Sequence, residues 1–327
     1  MPTAQNKISK EVEDQIFNSA ISLNHAYRKL NRLIDFEAIA VPLAKLYSPL
    51  GQHGIPAVCG LKAMLLQFWE DLSDREMERA VCENLAIRWF CGFSLNQKTP
   101  DHSYFGKLRK RVGTKRIANI FNAINEQLRK EGLFGNIFHF IDASTIISKS
   151  ALWEERDKAI KDGHDKLNNL IIKDYAVDKD ARWGAKSKKN IWFGYKRHTS
   201  VDMRHGLITK TAVTPANVPD FKVVNRICPS EGLIFMDKLY DTKKTDAVIR
   251  GNGCSPGTIM KNNNPSKNFD LDRWRSRIRM PFEGTFASLS KRAKYRGLEW
   301  VSFQVFTQSI CFNLKKAIKI APSLAYS

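Results

Sequence analysis

The 327-residue sequence lacks the features that mark secreted, zinc-binding and membrane-spanning proteins. Its six cysteines are scattered and include no C-x-x-C pair, which argues against a disulfide framework and against a zinc site in a chain of this length. No apolar run approaches 18 residues, and the opening residues 1–7 are polar, so neither a membrane-spanning helix nor a secretory leader is expected. These absences favour a cytoplasmic protein with reduced thiols.

Acidic residues are also scarce relative to basic ones, and the chain therefore carries a large positive charge. Against 33 Asp and Glu stand 53 Lys and Arg, which gives a formal net charge of +20 and a pI near 9.7. An imbalance of this size favours a polyanionic partner. Because no membrane-binding segment is expected, we predict that the partner is nucleic acid.

The first part of the chain shows helical patterns. Apolar residues recur at helical spacing over residues 9–36 and again over 61–72. Ser73 and Glu76 then have the spacing of a capping box, which predicts that another helix begins there. Two helices joined by so short a turn are typical of a helix-turn-helix element. DNA docking and a plain helical domain that never touches DNA are about equally supported by this pattern.

A further helix carries a cluster of basic side chains. Residues 99–103 have the composition of a turn and cap, and the pattern after them predicts a helix to about residue 130. The cluster fits backbone phosphates, although a charge run on a helix is usually a solvated face; its members are Lys107, Arg109, Lys110 and Arg111. We therefore predict an N-terminal helical segment over 1–45 and a helix-turn-helix-like DNA-binding domain over 46–133.

Near residue 135 the pattern becomes strand-like. Strands are predicted at 136–142, 192–202, 206–213, 232–237 and 257–260, and helices at 217–228, 242–250 and 281–295. The order β-β-β-α-β-α-β-α is that of a ribonuclease H-like mixed sheet. The predicted fold is thus an all-helical domain followed by a mixed α/β catalytic domain over 134–300. A charged insertion is expected at about 150–190, and a C-terminal helix and tail at 301–327.

Three acids are placed where a metal site needs them. Asp142 ends the apolar run 137–141, Asp237 ends the run 233–236, and Glu283 lies at the start of a helical pattern. Open α/β sheets bind ligands at the carboxyl ends of their strands. Oxygen ligands suit Mg²⁺, and two such ions about 3.5–4 Å apart can hold both oxygens of an in-line phosphoryl displacement. Taken singly, each acid is more readily a turn residue, a cap or a solvated charge. Their order and element types together favour a metal site for phosphodiester chemistry.

Short segments in both parts of the chain match one known group. In the helical part they are residues 61–67, 72–76 and 99–102. In the second part they are residues 140–144, 194–198, 214–217, 237–241 and 313–315, together with Arg279, Glu283, Phe286 and Leu289. These segments resemble, in the same order, the DDE transposases of bacterial insertion sequences, most closely the insertion-sequence five family.

The resemblance implies roles for particular residues. Asp142 and Asp237 take the two Asp positions and Glu283 the Glu position, where they would bind Mg²⁺, with Mn²⁺ able to substitute. Arg279 matches an arginine that lies near the scissile phosphate in such enzymes, and its alternative role is a simple ion pair with Glu283 at i, i+4 spacing.

The sequence departs from the family pattern at two positions. Leu239 replaces a glycine, and Ser290 replaces a lysine, with Lys291 and Arg292 following. A side chain one position along a helix points about 100° away, so Lys291 would reach DNA from a different angle.

The resemblance also implies an activity and its partners. The expected reaction is metal-dependent cleavage at the ends of an insertion sequence, followed by transfer of the free 3′-hydroxyl into target DNA. The partners are double-stranded DNA, as terminal inverted repeats and target, and a second copy of the chain in a homodimer or larger assembly. The expected location is the bacterial cytoplasm, in association with the nucleoid. The candidate phosphate contacts are Lys196, Arg197, Lys238, Lys291 and Arg292.

Other interpretations stay open on the sequence. One is a non-catalytic, transposase-derived DNA-binding protein, and another is a ribonuclease H-like nuclease that cuts without joining. Base stacking by Trp192, Phe193 and Tyr195 is less expected than a place in the core, because aromatic strand residues are usually buried. His198 is expected to be structural or a phosphate contact, since chemistry with metal-activated water needs no general base.

Overall fold

The computed structural model describes residues 9–46, 54–149, 169, 176–187, 190–287 and 289–321. Contacts divide the chain into a first unit, residues 1–133 with 313–327, and a second unit, residues 134–312. The segments 1–45 and 46–133, expected to be separate, fall within the same unit. None of the helices described is both long enough and apolar enough to span a bilayer.

Within the described residues, the secondary structure of the first unit up to residue 133 is helical. The helices are α1 (Lys10–Ala20), α2 (Ala26–Leu33), α3 (Phe36–Ala44), α4 (Ala57–Trp69), α5 (Asp74–Glu83), α6 (Leu85–Cys91) and α7 (His102–Lys130). The single helix predicted over 9–36 is wrong, because side-chain caps divide the segment. His25 Nδ1 accepts a hydrogen bond from the Tyr27 N–H (3.2 Å), and Asp35 Oδ1 accepts one from the Ala38 N–H (3.0 Å). Each cap starts a new helix, which apolar periodicity does not reveal.

The predicted capping box is confirmed. The Glu76 N–H donates to Ser73 Oγ (3.3 Å) and the Ser73 N–H donates to Glu76 Oε2 (2.8 Å), so α5 begins where the sequence indicated.

The basic cluster on α7 needs a correction. Arg109 is 8% exposed and pairs with Asp74 at 2.6 Å, so it stabilises the helical core and does not face phosphate. Lys107 and Lys110 remain exposed.

The second unit is built on one mixed sheet. Its strands, within the described residues, are β1 (Phe138–Ile147), β2 (Arg182–Ser187), β3 (Asn190–Asp202), β4 (Leu207–Pro215), β5 (Leu233–Met236) and β6 (Ser255–Thr258). β1 lies between β3, which is antiparallel to it, and β5, which is parallel to it. β6 runs parallel to β5, and both β2 and β4 pair antiparallel with β3. The order β4-β3-β1-β5-β6 is ribonuclease H-like, as predicted.

Helices cover both faces of this sheet. They are α8 (Val224–Ile227), α9 (Lys243–Gly251), α10 (Phe269–Ala287) and α11 (Leu298–Ile320), whose residues from Asn313 belong to the first unit. On one face Ile141 and Ile234 pack with Ile249 of α9. On the other face Ile146 packs with Val305 of α11. Burial on both faces explains why the strands read as nearly continuous apolar runs.

Three element boundaries differ from prediction. β1 continues to Ile147, so Asp142 lies inside the strand and does not end it. The expected insertion over 150–190 contains β2, while its residues 150–168, 170–175 and 188–189 lie outside the described residues. The last catalytic-domain helix spans Phe269–Ala287 and not 281–295. Proline is common in a first helical turn, but Pro281 lies inside this helix. The side chain of Phe286 also lies outside the description.

A buried carboxylate holds the far end of the sheet together. Asp178 is 1% exposed; its Oδ1 accepts from the Tyr195 hydroxyl (2.6 Å) and the Gly297 N–H (3.2 Å), and its Oδ2 accepts from the Ser148 hydroxyl (2.8 Å). Asp178→Ala removes the acceptor of all three of these hydrogen bonds. We expect Asp178→Ala to lower the free energy of unfolding by about 3 kcal/mol. Urea denaturation followed by circular dichroism measures this, with Asp270→Ala as the exposed control. A loss below about 0.5 kcal/mol, the range of ordinary surface changes, would contradict the role.

Candidate active site

Two of the predicted acids lie side by side on neighbouring strands. The parallel pairing of β1 and β5 ends at Phe140 opposite Phe235. Asp142 and Asp237 each follow that pair by two residues, so they occupy matching positions on strands spaced about 4.8 Å apart. Asp237 comes directly after β5, where its Oδ1 accepts from the Lys238 N–H (2.7 Å) and caps a 3₁₀ turn. Asp142 Oδ1 accepts from the Ala143 N–H (2.8 Å).

The third acid, Glu283, is connected to Asp237 by an ion pair with Arg279. Glu283 and Arg279 both lie on α10, one helical turn apart. Arg279 Nη2 lies 3.2 Å from Glu283 Oε1, and Nη1 lies 3.7 Å from Asp237 Oδ1. The guanidinium also lies over the ring of Phe140, 5.6 Å from its centroid. Arg279 therefore links the strand acid to the helix acid, which is the ion pair anticipated as its alternative role.

Burial gives Asp142 an unusual acidity. It raises the pKa of Asp142 to about 6, and the charge of Asp237 adds to the rise. The Ala143 N–H, then Lys186, then Arg279 act in the opposite direction. A carboxylate that is desolvated beside a second carboxylate is costly to ionise without a cation. The pair Asp142–Asp237 therefore has the electrostatics of a cation-binding site.

The donor atoms present suit a hard divalent cation. Two carboxylates at one level of the sheet offer oxygen ligands, the type that Mg²⁺ prefers. The positive guanidinium of Arg279 already lies against Asp237 and Glu283, which shows that a cation is compatible with this position. Within the described residues, however, no group of three or more His, Cys, Asp or Glu side chains is assembled to hold a metal ion. Glu283 is half-exposed and held by Arg279, so the two aspartates are the pair that the fold brings together.

Because the Arg279 guanidinium lies against Asp237 and Glu283, we expect it to compete with a divalent cation for these carboxylates. Replacement of Arg279 by Ala removes a positive charge beside Asp237 and Glu283, so a divalent cation should bind more tightly. We expect the Kd for Mn²⁺ at pH 8 to fall by about tenfold, equivalent to roughly 1.4 kcal/mol. Calorimetric titration measures this. Arg273→Ala is the matched control, because Arg273 lies on the same helix with its side chain 68% exposed. Equal or weaker Mn²⁺ binding by the Arg279 variant would show that the arginine does not compete.

Two predicted phosphate contacts are engaged elsewhere. Lys196 Nζ donates to Asp220 Oδ1 (2.9 Å) and to the Val218 carbonyl (3.0 Å) in a largely buried position. Arg197 is 0% exposed and donates through Nη2 to Gln308 Oε1. The prediction for Arg197 is therefore wrong in this conformation, because its strand position turns the side chain inward.

The remaining predicted contacts are exposed, but two of them are not on a helix. Lys238, Lys291 and Arg292 all reach solvent. α10 ends at Ala287, and the segment after it pairs with the end of β1: the Ile147 N–H donates to the Lys291 carbonyl at 2.7 Å. The argument that Lys291 is rotated about 100° from a helical lysine position does not apply, because residue 291 lies after the end of the helix, next to the bridge between Ile147 and Arg292.

The aromatic residues and His198 belong to the interior, as favoured from the sequence. Trp192, Phe193 and Tyr195 are each less than 5% exposed. His198 Nε2 lies 2.8 Å from Thr214 Oγ1, and burial lowers the pKa of His198 to about 4. A neutral, buried imidazole of this kind supports the strand pair and has no access to DNA.

Sequence reasoning missed Lys186 as a neighbour of the acids. Lys186 falls in the charged insertion expected at about 150–190, whereas the structure places it on β2, and its charge lowers the pKa of Asp142. Alternation of residues did not reveal this, because the β2–β3 pairing shifts register between Ala185 and Ser187.

The fold and the sequence matches together define the protein. The sheet order, with β5 and β6 parallel to the central β1, places the second unit in the ribonuclease H-like class. Residues 15–111 match the family described as Transposase domain (DUF772), and residues 140–314 match the Transposase DDE domain family. The second match covers more than half of the chain, which therefore belongs to the Transposase DDE domain family. The protein is a DNA transposase, and DDE domains depend on divalent metal ions.

A solved structure, the piggyBac transposase synaptic complex with hairpin DNA, is similar over 90% of this chain and 74% of that chain. The sequence identity is 9% and the TM-score 0.41. The family assignment rests on the two sequence matches.

Proposed function

We propose that Asp142, Asp237 and Glu283 are the catalytic acids of an insertion-sequence transposase of the insertion-sequence five type. The observation that carries the proposal is the matching placement of Asp142 and Asp237 on parallel neighbouring strands, with Arg279 linking Asp237 to Glu283. Asp142 and Asp237 would hold Mg²⁺, or Mn²⁺ in its place, and Glu283 would join them when Arg279 releases it. When bound, such ions lower the pKa of water and stabilise charge on the phosphate oxygens.

The chain's own residues position the DNA for two chemical steps. In the first, water attacks the phosphorus at the end of the element and the P–O3′ bond breaks, leaving a 3′-hydroxyl on the element and a 5′-phosphate on the flanking strand. In the second, that hydroxyl attacks a phosphorus of target DNA and displaces the target's 3′ oxygen. Both steps are in-line displacements in which positioning and charge dominate. Asp142 and Asp237 would hold, at the edge of the sheet, the divalent cations that bind the reacting phosphate.

Arg279 is suited to exchange a carboxylate for a phosphate. Its side chain is 17% exposed, and among the described residues its Nε and Nη1 have no hydrogen-bond partner. A planar guanidinium binds phosphate through paired N–H groups. Transfer of Arg279 from Glu283 to the scissile phosphate would free the glutamate at the moment when DNA arrives. Lys238, Lys291 and Arg292 are exposed candidates for further phosphate contacts.

The first unit supplies a second DNA-binding surface in this proposal. Helices α4 and α5 are joined by a four-residue turn, residues 70–73, as in a helix-turn-helix element. Arg75 and Arg79 of α5 are exposed, and α5 packs against α7, which exposes Lys107 and Lys110. The partners would be terminal inverted repeats and target DNA in the bacterial cytoplasm, at the nucleoid. Coordinated cutting of two ends calls for at least a dimer.

The strand-transfer reaction separates this proposal from a nuclease that only cuts. The experiment supplies purified protein, Mg²⁺ and a duplex of the inverted repeats that flank its gene, pre-cut to expose the 3′-hydroxyl, with a labelled plasmid as target. We expect covalent joining of the duplex to the plasmid, lost when the end carries a 3′-deoxy terminus. Cleavage of uncut repeats without joining of pre-cut ends would leave a nuclease, and DNA binding without either reaction would leave a non-catalytic binding protein.

A further inference from the structure

A buried threonine lies directly opposite Asp142 on the neighbouring strand. In the antiparallel pairing of β1 with β3, the partner of Asp142 is Thr199. Directly opposite side chains of such a pair point to the same face of the sheet, with their Cβ atoms about 4.5–5.5 Å apart. On the other side of β1, Asp237 follows β5 at the level of Asp142. Asp142 therefore lies between a second carboxylate and a hydroxyl.

The hydroxyl of Thr199 is buried and makes no hydrogen bond to the described residues. Thr199 is 0% exposed, and its Oγ1 has no partner within that part of the chain. A buried hydroxyl without a partner costs free energy, and such groups are rare in folded proteins. Because water does not reach this hydroxyl from the surface, a neighbouring protein group is its natural acceptor.

The geometry of the strand pair allows the two side chains to meet. Asp142 Oδ1 accepts from the Ala143 N–H (2.8 Å), and an ionised carboxylate can accept further hydrogen bonds through its two oxygens. A threonine side chain has staggered positions about its Cα–Cβ bond, so rotation there turns Oγ1 towards or away from the neighbouring strand. Since the two Cβ atoms are close, the Thr199 hydroxyl can reach a carboxylate oxygen of Asp142 without movement of the backbone.

We infer that Thr199 is a positioning residue of the active site, which donates a hydrogen bond to the Asp142 carboxylate when that carboxylate holds a divalent cation. This rests on the function proposed above. Carboxylates that bind metal ions are themselves held by hydrogen bonds, which fix their orientation towards the ion. A hydroxyl suits this role because it donates to the charged oxygen and adds no charge that would repel the cation.

The next residue on β3, Ser200, provides a matched control. It is also 0% exposed, and its Oγ likewise has no hydrogen-bond partner among the residues described. Its partner on β1 is Ile141, and its side chain points to the opposite face of the sheet, because successive strand residues alternate. Ser200→Ala therefore removes a comparable hydroxyl from the face that does not carry Asp142.

The test measures Mn²⁺ binding by calorimetric titration of the full-length protein at pH 8. The variants are Thr199→Val, which removes the hydroxyl and nearly keeps the shape, and Thr199→Ser, which keeps the hydroxyl. Ser200→Ala and Asp142→Asn are the controls. Urea denaturation in EDTA shows whether each variant is folded. Thr199→Ala also lacks the hydroxyl and takes the place of Thr199→Val if that variant does not fold.

We expect Thr199→Val to raise the Kd for Mn²⁺ by roughly tenfold or more, as loss of a group that holds a metal ligand commonly does. Its urea midpoint in EDTA should not fall below that of the wild type, because the hydroxyl that it removes is buried without a partner. Thr199→Ser should bind Mn²⁺ within about threefold of the wild type, since the donor is kept. Ser200→Ala should bind Mn²⁺ as the wild type does.

The outcomes separate this inference from the function on which it rests. Mn²⁺ binding by Thr199→Val that is as tight as in the wild type would overturn the inference alone. An equal loss of affinity in Thr199→Ser or in Ser200→Ala would also overturn it, because the effect would not depend on a hydroxyl opposite Asp142. A wild type that binds no Mn²⁺, or an Asp142→Asn variant that binds it equally well, would instead contradict the proposed function, and this inference with it.

Discussion

Replacement of Asp142 or Asp237 by Asn should lower the rate of DNA strand cleavage by roughly 10³-fold or more, as loss of a catalytic group commonly does. Asn keeps the shape of the side chain but removes the charge that a divalent cation needs. Asp142 Oδ1 accepts the Ala143 N–H, and the Asn carbonyl oxygen can accept the same bond, so the fold should survive. The rate of nicking of repeat-end duplex in Mg²⁺ measures the effect.

The matched control is Asp270→Asn. Asp270 lies in the first turn of α10, the helix of Arg279 and Glu283, with its side chain 93% exposed. Its variant should cleave within about twofold of the wild type, because changes at exposed positions have small effects. Unchanged cleavage by Asp142→Asn would refute the assignment, and equal loss in the control variant would point to a general effect of lowering negative charge.

The second large effect is on the free energy of unfolding: the substitution that abolishes cleavage should make the protein more stable. With the metal chelated, Asp142→Asn should be more stable than the wild type at pH 8 by about 2–3 kcal/mol, the cost of a pKa raised from 3.8 to about 6. Below pH 3.8 the carboxyl is protonated in the folded and unfolded chains, so it costs nothing. As pH rises toward 6, the unfolded chain ionises while the folded chain keeps its proton. The folded state therefore loses stability, and above pH 6 the full cost is present.

Urea denaturation of both proteins at pH 4 and pH 8 in EDTA measures this difference. The difference in free energy of unfolding between the variant and the wild type should be small at pH 4 and should increase towards pH 8. A divalent cation at a hundred times its Kd should then return about 2.7 kcal/mol to the wild type and little to the variant. A gap that is independent of pH would show that burial does not raise the pKa of Asp142, and a cation that stabilised both proteins equally would have to bind elsewhere.

The amino-acid sequence predicts the two strands that carry Asp142 and Asp237, because each acid is preceded by a short apolar run of the kind that buried strands have. Asp237 lies directly after β5, as the pattern indicated. Asp142 lies inside β1, because the strand continues through Ala143 and Ile146 and pairs with β3 from His139 to Ile147. Composition alone does not show where strand pairing stops. The sequence therefore predicts the strand β1 but not its end at Ile147.

Side-chain direction was harder to predict than position. Arg197 and Lys196 belong to a basic strand segment, but a strand turns alternate residues to opposite faces. Here the sheet is covered on both faces, so one cation is buried against Gln308 and the other is paired with Asp220. The β2–β3 pairing shifts register next to Lys186, and such a shift leaves no mark in residue periodicity.

The predicted helix boundaries were wrong where a capping side chain begins a helix or where a proline lies inside one. Asp35 starts a helix in the middle of an apolar pattern, and Pro281 lies inside a helix that begins at Phe269. The consequence for the site is direct: Arg279 and Glu283 lie on one continuous helical surface, which allows the arginine to bridge from the glutamate to Asp237.

The most direct test of the central claim is the position of Mn²⁺, located by its anomalous diffraction in crystals of the wild-type protein with repeat-end DNA. The account predicts Mn²⁺ peaks coordinated by carboxylate oxygens of both Asp142 and Asp237, with Arg279 withdrawn from Glu283. Peaks that avoid either aspartate, in crystals whose dissolved protein still cleaves DNA, would contradict it.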